Sequence, residues 1–295
     1  MDALNHIAQI FNGNMLINVF LVPFVMCAIV FAVYKKRDAF SRDAIQNTAA
    51  TLLVGAMNFG VALLFYKDIN AFAQRIYDAM AIPTLPEAFW DATPLWLVCL
   101  IGIVSKDFVD YWNHRLMHTK WAWPTHAAHH SDTHVNAFTA YRVHFLEAVL
   151  MSLSYILLLT WMQMPHAIPL VVMLSALHNM YVHMDLDYEH GPFKHLIASP
   201  VFHRWHHADV PEAHGKNIAN IMPLWDVWFG TYYCPGRCEA EMGALKSGIN
   251  DKNPLAIYAY PVLEWSRLVR AQIAGARKAK RGTPDPDMPR KISTS

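Results

Sequence analysis

Three short histidine boxes are the part of this chain whose residue types and spacing are best suited to chemistry. The boxes are HRLMH at 114–118, HAAHH at 126–130 and HRWHH at 203–207. Because helical residues three and four apart share a face, each box directs two or three imidazoles to one side. Neutral imidazole binds iron, zinc, copper and nickel, so the boxes together predict a metal centre.

The number of histidines indicates which kind of metal centre this is. One HxxxH box is weak evidence, but gathering five or more histidines without a metal would be costly through like-charge repulsion. Eight nitrogens exceed what one structural zinc needs. The sequence has neither the HExxH of zinc peptidases nor the ExxH pairs of carboxylate-bridged bundles. The pattern therefore favours two metals sharing a nitrogen-rich ligand set, as in a di-iron centre for oxygen chemistry.

The composition predicts that these boxes belong to a membrane protein. The 295 residues are 54% hydrophobic and only 16% charged, with a mean hydropathy of +0.17. These values are too apolar for an ordinary soluble domain and too polar for a wholly embedded chain. A net charge of +1 gives no field that would favour nucleic acid, so no nucleic-acid partner is expected. The four cysteines form no CxxC pair, and we interpret them as reduced and structural.

Apolar stretches of about 20 residues predict the membrane-spanning elements. We therefore expect an all-α fold, a polytopic bundle of about four to five membrane helices with a cytoplasmic histidine-rich helical cap. The expected spans are Met15–Tyr34, Thr48–Tyr66, Pro94–Val109, Glu147–Met164 and His166–Val182.

Charge bias predicts the orientation of this bundle. Lys35, Lys36, Arg37 and Arg42 follow the first span, and the positive-inside rule places that loop in the cytoplasm. The acidic connection 67–93 then lies outside, and counting onward puts all three boxes on the cytoplasmic side. A bacterial inner membrane suits this layout, although an endoplasmic-reticulum membrane satisfies the same physics.

Three regions are expected along the chain. Residues 1–93 would hold N-terminal membrane helices and their loops, and residues 94–235 a catalytic domain with the histidine boxes. Residues 236–295 would form an interfacial segment, centred on Leu255–Ile273, followed by a disordered tail from Lys278 onward.

The order of the motifs adds a family resemblance. HRLMH, HAAHHSD, YRVHFLE, HRWHH and KNIANIMPLWDVWFGTY, between about Lys106 and Tyr233, resemble the fatty acid hydroxylase/sterol desaturase superfamily. The resemblance implies an integral membrane, di-iron, O2-dependent lipid oxidoreductase. It also implies a further histidine about twenty residues before the last box, which His183 matches. The implied metal ligands are His114, His118, His126, His129, His130, His183, His203, His206 and His207.

Several neighbouring residues are candidate ligands or supports of ligands. His178 is either a tenth ligand or a helix-end histidine bonded to backbone. Asp185 stands where many members of the family have asparagine, and it would orient a ligand or contact substrate. His144 belongs to an RxHxxE element in which Phe145 replaces the usual proline, and it is a further candidate ligand or support.

Acidic and amide side chains near the boxes complete the set of candidates. In that same element, Arg142 and Glu147 are expected to pair, either to orient an imidazole or only to start a helix. Asp110 and Asp107 precede the first box by one and two helical turns and are expected to support its histidines. Asn217 and Asp226 recur in the final element of the family.

The predicted activity is hydroxylation of a lipid C–H bond, on a fatty acyl, sterol, ether or amino lipid. It would use two iron ions, O2 and an external donor, a reductase with a ferredoxin or a cytochrome. The alternatives are a lipid or sterol desaturase, cleavage of an ether lipid, a membrane metal transporter and a zinc hydrolase. A transporter would place its ligands near the membrane midplane, whereas these boxes gather at one interface.

Overall fold

The computed structural model describes residues 2–14, 16–34, 41–164 and 167–280, and within these ranges the fold is all-α. A π-helical stretch, Leu16–Leu21, leads directly into the second helix. Short 3-10 turns cover Glu87–Trp90, Ala137–Tyr141, Gly191–Phe193 and Leu245–Ser247. The α-helices are α1 Asp2–Gly13, α2 Val22–Tyr34, α3 Arg42–Ala79, α4 Leu95–Met117, α5 Trp123–His130, α6 Phe145–Trp161, α7 Ile168–Val182, α8 Pro200–His207, α9 Leu224–Phe229 and α10 Pro254–Lys280.

The helices α4, α6 and α7 form the centre of the bundle, where Cys99, Leu159 and Val171 are buried in one apolar cluster. Gly102 permits the close approach of α4 to α7. A Cβ atom on Gly102 would lie 2.9 Å from Cγ2 of Val171. A small residue at such a crossing is typical of tightly packed helices in membranes.

One helix among the described residues is long and apolar enough to cross a membrane, Leu16–Tyr34, with a mean hydropathy of 2.7. The expected bundle of four to five membrane helices is therefore supported only in part. The helices α6 and α7 lie where the fourth and fifth spans were expected, but they have 17 and 15 residues. Residues 165 and 166, including the predicted start of the fifth span, lie outside the described residues.

The second expected span lies within a longer helix. Its helix does not end at Tyr66 but continues as α3 to Ala79, into the stretch expected to be a connection. The reason is tertiary packing, because Ala73 and Tyr77, four residues apart on one helix face, are buried against Ile156 of α6.

The two helices that carry HxxHH boxes are short and begin at proline-containing turns. Pro124 and Pro200 occupy the first turns of α5 and α8, where a missing N–H costs no helical hydrogen bond. Ser199 also caps α8 by accepting a hydrogen bond from the Phe202 N–H at 3.2 Å. Each box therefore begins at a defined point, and this fixes the direction in which each histidine leaves its helix.

Arg142 joins the end of α5 to α3 and to the chain before α10. Its guanidinium donates to Ser131 Oγ at 3.0 Å, Asn47 Oδ1 at 3.1 Å, Thr51 Oγ1 at 3.0 Å and the Asp251 carbonyl at 2.6 Å. The side chain is fully buried. The expected pairing of Arg142 with Glu147 is wrong, because these neutral acceptors already surround the guanidinium.

The last helix, α10, packs on α5 through Ile257, which is buried with Ala128 and Ala50. Its opposite side exposes Leu255 and Val262, as expected for a segment at the membrane surface. The predicted disordered tail begins too early, because Lys278–Lys280 belong to α10. Residues 281–295, and the basic residues 35–37 used for the orientation, lie outside the described residues.

Replacement of Arg142 by methionine should destabilise the protein by roughly 3 kcal/mol, because several buried acceptors would lose their donor together. Unfolding by denaturant of the purified protein in detergent measures this loss. The matched control is Arg267→Met, since Arg267 is largely exposed and bonds only to Glu264 among the described contacts. Equal stability of the two variants would contradict the structural role of Arg142.

Candidate metal centre

The nine histidines expected as metal ligands lie in two adjacent groups. Within each group, the candidate ligand atoms lie within 4.8 Å of one another. The first group consists of His114, His118, His126, His130 and His206. The second group consists of His129, His183, His203 and His207.

Each HxxHH box is divided between the two groups. In α5, His126 and His130 belong to the first group and His129 to the second; in α8 the i,i+4 pair enters the second group and His206 the first. On a helix, residues i and i+4 diverge by only ~40°, whereas i+3 leaves on the other side of i by ~60°. One box can therefore contribute to two neighbouring metals at once.

Several Nε2 atoms within each group converge at distances normal for hydrogen bonds. In the first group, Nε2 of His126 lies 2.9 Å from that of His114 and 3.1 Å from that of His130. In the second, Nε2 of His183 lies 3.0 Å from that of His203 and 3.2 Å from those of His129 and His207.

In three of the rings the opposite nitrogen, Nδ1, is fixed by a backbone carbonyl from elsewhere in the chain. Nδ1 of His114 donates to the Ile218 carbonyl at 2.6 Å, and Nδ1 of His183 to the Asn179 carbonyl at 2.6 Å. Nδ1 of His206 donates to the Lys216 carbonyl at 2.8 Å. A carbonyl can only accept, so each neutral ring has its proton on Nδ1 and a lone pair on Nε2.

Carboxylate and carbonyl acceptors fix two more rings. His126 Nδ1 lies 2.7 Å from Glu147 Oε1, a contact that fits the alternative in which Glu147 orients an imidazole, without the expected part of Arg142. His129 Nδ1 lies 3.3 Å from the Arg142 carbonyl. Arg142 thus reaches the centre through its backbone rather than its side chain.

The donor set fits a metal cation in each group. Nε2 lone pairs face one another at about 3 Å with no proton between them wherever both rings donate through Nδ1, as do His114 and His126. Nε2 of His118 is buried without a hydrogen-bond partner. A cation placed among the lone pairs satisfies all of them, and imidazole ligands suit iron as well as zinc or copper.

Burial keeps these imidazoles in the form that binds metal. The pKa values of His129, His130, His203 and His207 lie well below the ordinary histidine value, first because burial disfavours the charged ring and then because neighbouring histidines repel it. Neutral rings are the ligating species.

Asn217 supports the backbone that orients His206. The residue has a positive φ of 53°, which asparagine tolerates better than most residues. Its amide donates to the Phe202 and Tyr233 carbonyls at 2.8 and 2.6 Å. These bonds connect the start of α8 to the strip 216–218, whose carbonyls accept from two of the histidines.

Asp226 and Asp107 hold the rest of that strip and the turn after it. Asp226 accepts from the N–H groups of Ile218 and Ala219 at 2.7 and 2.9 Å. Asp107 accepts from the N–H groups of Ile221 and Met222 at 2.9 and 2.8 Å. The expected direct support of the first box by Asp107 is therefore wrong, because its carboxylate accepts hydrogen bonds from the backbone between α8 and α9.

The remaining candidates lie outside both groups. His144 caps α6 by accepting from the Leu146 N–H at 3.2 Å, and its Nε2 lies 3.3 Å from the Tyr258 carbonyl. His178 bonds to the backbone of Asn220, in line with the helix-end alternative. Asp185 forms an ion pair with Arg204 at 2.8 Å. Asp110 pairs with Lys106, four residues before it, and not with a histidine of the first box.

A cavity of about 1240 Å³ borders both groups. Its wall includes His114 and His126 of the first group and His129 and His203 of the second. The rest of the wall is mostly apolar and comes from α3, α4, α6 and α7. A long apolar molecule in this cavity would lie beside both groups.

Comparison with known proteins adds to this geometry. Residues 99–231 match the fatty acid hydroxylase family. The chain is 29% identical over 189 residues to an alkylglycerol monooxygenase of Xenopus tropicalis, covering 62% of this chain and 40% of that protein. It is 28% identical over 197 residues to the ornithine lipid hydroxylase OlsE of Rhizobium tropici, covering 64% and 57%.

A third relative has a different activity in its name. The very-long-chain aldehyde decarbonylase GL1-11 of Oryza sativa subsp. indica is 27% identical over 212 residues, covering 68% of this chain and 75% of that protein. The aligned part of the chain thus spans about two fifths of the alkylglycerol monooxygenases and just over half of the ornithine lipid hydroxylase. No solved structure matches the chain.

Removing one histidine from either group should release one metal. We expect about two equivalents of iron per chain in the purified wild type and about one in His118→Ala and in His183→Ala. The control is His214→Ala, which removes a half-exposed ring outside both groups. Metal analysis of the purified proteins measures this, and two equivalents retained in either ligand variant would contradict the assignment.

Replacing Asp226 by asparagine should weaken iron binding roughly 10- to 100-fold, as loss of outer supports commonly does. Both oxygens of the Asp226 carboxylate accept hydrogen bonds from backbone N–H groups, and in asparagine an NH2 group would face one of these donors. Competition with a chelator measures the affinity. Asp209→Asn is the control, since Asp209 contacts exposed His214 and not the strip 216–218. Unchanged affinity in the Asp226 variant would show that the strip is held by other contacts.

Proposed function

Because this chain belongs to the fatty acid hydroxylase superfamily, we propose that it is a membrane di-iron oxidoreductase that uses O2 to hydroxylate a C–H bond of a lipid. The single observation that carries this proposal is the position of the two histidine groups on the wall of a large apolar cavity. Lipid is the substrate class that both features suit.

Two irons would be held by five and four imidazoles in the two groups. Bound iron would supply the activation of O2 with electrons from an external donor, and so the oxidation of an unactivated C–H bond. Where Nδ1 has an acceptor, as in His114, His183 and His206, the protein holds the ring in one tautomer and one orientation. No reorganisation of the ligand set is then needed when substrate enters.

The cavity gives the chain its second task, which is to position one carbon and keep water away. Apolar side chains such as Phe59, Val172 and Ala176 line it. Their burial against a lipid chain would be favourable by about 25 cal/mol per Å² of apolar surface removed from water. Binding energy far from the reacting carbon would thus contribute to its orientation.

The ends of the helices support a polytopic arrangement with the centre on one membrane face. His114 lies in the last turn of α4, Glu147 in the first turn of α6 and His183 at the end of α7. The start of α3 lies at the same end, since Asn47 and Thr51 bond to Arg142. We propose that α3, α4, α6 and α7 cross the membrane with Leu16–Tyr34.

The charge pattern supports the orientation that we propose. Arg42 begins α3 at the end of the bundle that holds the metal centre. The positive-inside rule then puts the histidine boxes at the cytoplasmic face, and we propose a bacterial inner membrane. The electron donor would be a separate reductase with a ferredoxin or a cytochrome, which would dock at this same face.

Desaturation, ether cleavage and metal transport are the alternative activities. Desaturation and ether cleavage use the same ligand set, and only the product distinguishes them. An ether lipid is a specific possibility because alkylglycerol monooxygenases are among the relatives. A metal transporter is disfavoured because the ligands lie at helix ends rather than at broken helices in mid-membrane.

Expression of the wild type in an aerated host should produce a class of lipid heavier by one oxygen atom, and His206→Ala should not. Intact-lipid mass spectrometry of the host membranes detects the product, and His214→Ala serves as the active control. Loss of two hydrogens would show a desaturase instead. The same lipid profile in wild type and His206→Ala, with iron bound and a reductase supplied, would contradict the proposed oxygenase.

A further inference from the structure

The cavity beside the metal centre holds a buried ion pair. Lys106 and Asp110 form this pair one helical turn apart on α4, and both line the cavity. Their exposed fractions are 8% and 5%. Burying two charges in apolar surroundings is costly, and replacing such a pair by apolar residues is often neutral for stability. The pair is therefore weakly explained by stability alone.

The pair also has unused hydrogen-bonding capacity. Asp110 Oδ2 accepts from Lys106, whereas Asp110 Oδ1 is buried without any hydrogen-bond partner. Ser175 Oγ on α7, another residue of the cavity lining, is likewise buried without a partner. A buried acceptor left unpaired costs free energy, and a ligand in the cavity that donates a hydrogen bond would remove this cost.

The position of the pair relates it to the reaction. Asp110 precedes His114 by one turn on α4, which corresponds to a rise of about 6 Å along the axis. Both side chains line the same cavity. A group bound to Asp110 would therefore lie within a few bonds of a carbon placed next to the first histidine group.

The charge of the pair limits what can bind there. Lys106 and Asp110 neutralise each other, and a charged ligand group would have to compete with one of them and leave the other unpaired. An uncharged group that both donates and accepts would bond to Asp110 Oδ1 and to the remaining N–H groups of Lys106. Hydroxyl and secondary amide groups have these properties.

We propose that Lys106 and Asp110 anchor the lipid by an uncharged hydroxyl or amide group and so direct oxidation to a carbon near that group. The apolar remainder of the cavity would take the hydrocarbon chain. This inference rests on the proposed function, and it deepens it by assigning the substrate class and the region of the lipid attacked.

The test compares binding of matched ligands to the iron-loaded protein in detergent without O2. The probes are hexadecylglycerol and its dimethyl ether for the hydroxyl, and hexadecanoylglycine methyl ester and its N-methylated form for the amide. Quenching of tryptophan fluorescence measures the dissociation constants. We expect methylation to weaken binding to the wild type roughly 10- to 100-fold for one of the two pairs, which identifies the group.

The double variant Lys106→Met/Asp110→Leu should bind each probe and its methylated form about equally, with the iron content of the wild type. The matched control is Lys252→Met/Asp43→Leu, which removes an exposed Lys–Asp pair at 2.7 Å outside the cavity. It should keep the preference of the wild type.

The outcomes separate this inference from the proposed function. Equal binding of methylated and unmethylated probes to the wild type, or a preference that survives in the Lys106/Asp110 variant, overturns the anchor. Lipid oxidation by that same wild type would leave the proposed function standing. A preference lost only in the Lys106/Asp110 variant supports the anchor even where no lipid is oxidised.

Discussion

The structure depends on one constraint, the fixing of histidine tautomers by acceptors on Nδ1. Where a carbonyl or carboxylate accepts from Nδ1, the Nε2 lone pair of a neutral ring must point elsewhere. His114, His183 and His206 are fixed in this way by backbone carbonyls. Their Nε2 atoms converge with those of other histidines, and a cation placed among them would satisfy these lone pairs together. The fold brings the carbonyls of Ile218, Asn179 and Lys216 to these three rings.

The acceptors come from segments far apart in sequence, so the fold has to hold those segments rigidly. Asn217 and Asp226 brace the strip 216–218, and Asp107 ties the next residues to α4. Arg142 braces the end of α5 in the same manner. These side chains touch no histidine nitrogen, yet a shift in the backbone they hold would turn an imidazole away from its metal. A buried polar network of this kind is stable only when nearly all its members are satisfied.

The polar network borders an apolar cavity, and the two histidine groups lie at this boundary. Four of the nine histidines line the cavity, so a molecule inside it would lie beside both groups. Within that wall the pair Lys106 and Asp110 is the conspicuous charged feature next to His114. Its unused carboxylate oxygen marks where a polar group of the substrate would be held. The apolar side chains that would receive the proposed lipid would also keep water from the buried imidazoles.

The sequence by itself determined the helical class and the eight histidines of the three boxes, because ligand type and helical spacing are local properties, and the family resemblance added His183. It could not divide the boxes between two groups, since that depends on how α5 and α8 are rotated against each other. It also misjudged Arg142 and Asp107, whose partners lie elsewhere in the chain, and Asp110, which pairs with Lys106 on its own helix. Backbone carbonyls carry no sequence signal, so the acceptors at Lys216 and Ile218 appear only in the tertiary structure. Long-range packing decided these features, because a side chain bonds to whatever the fold brings within reach.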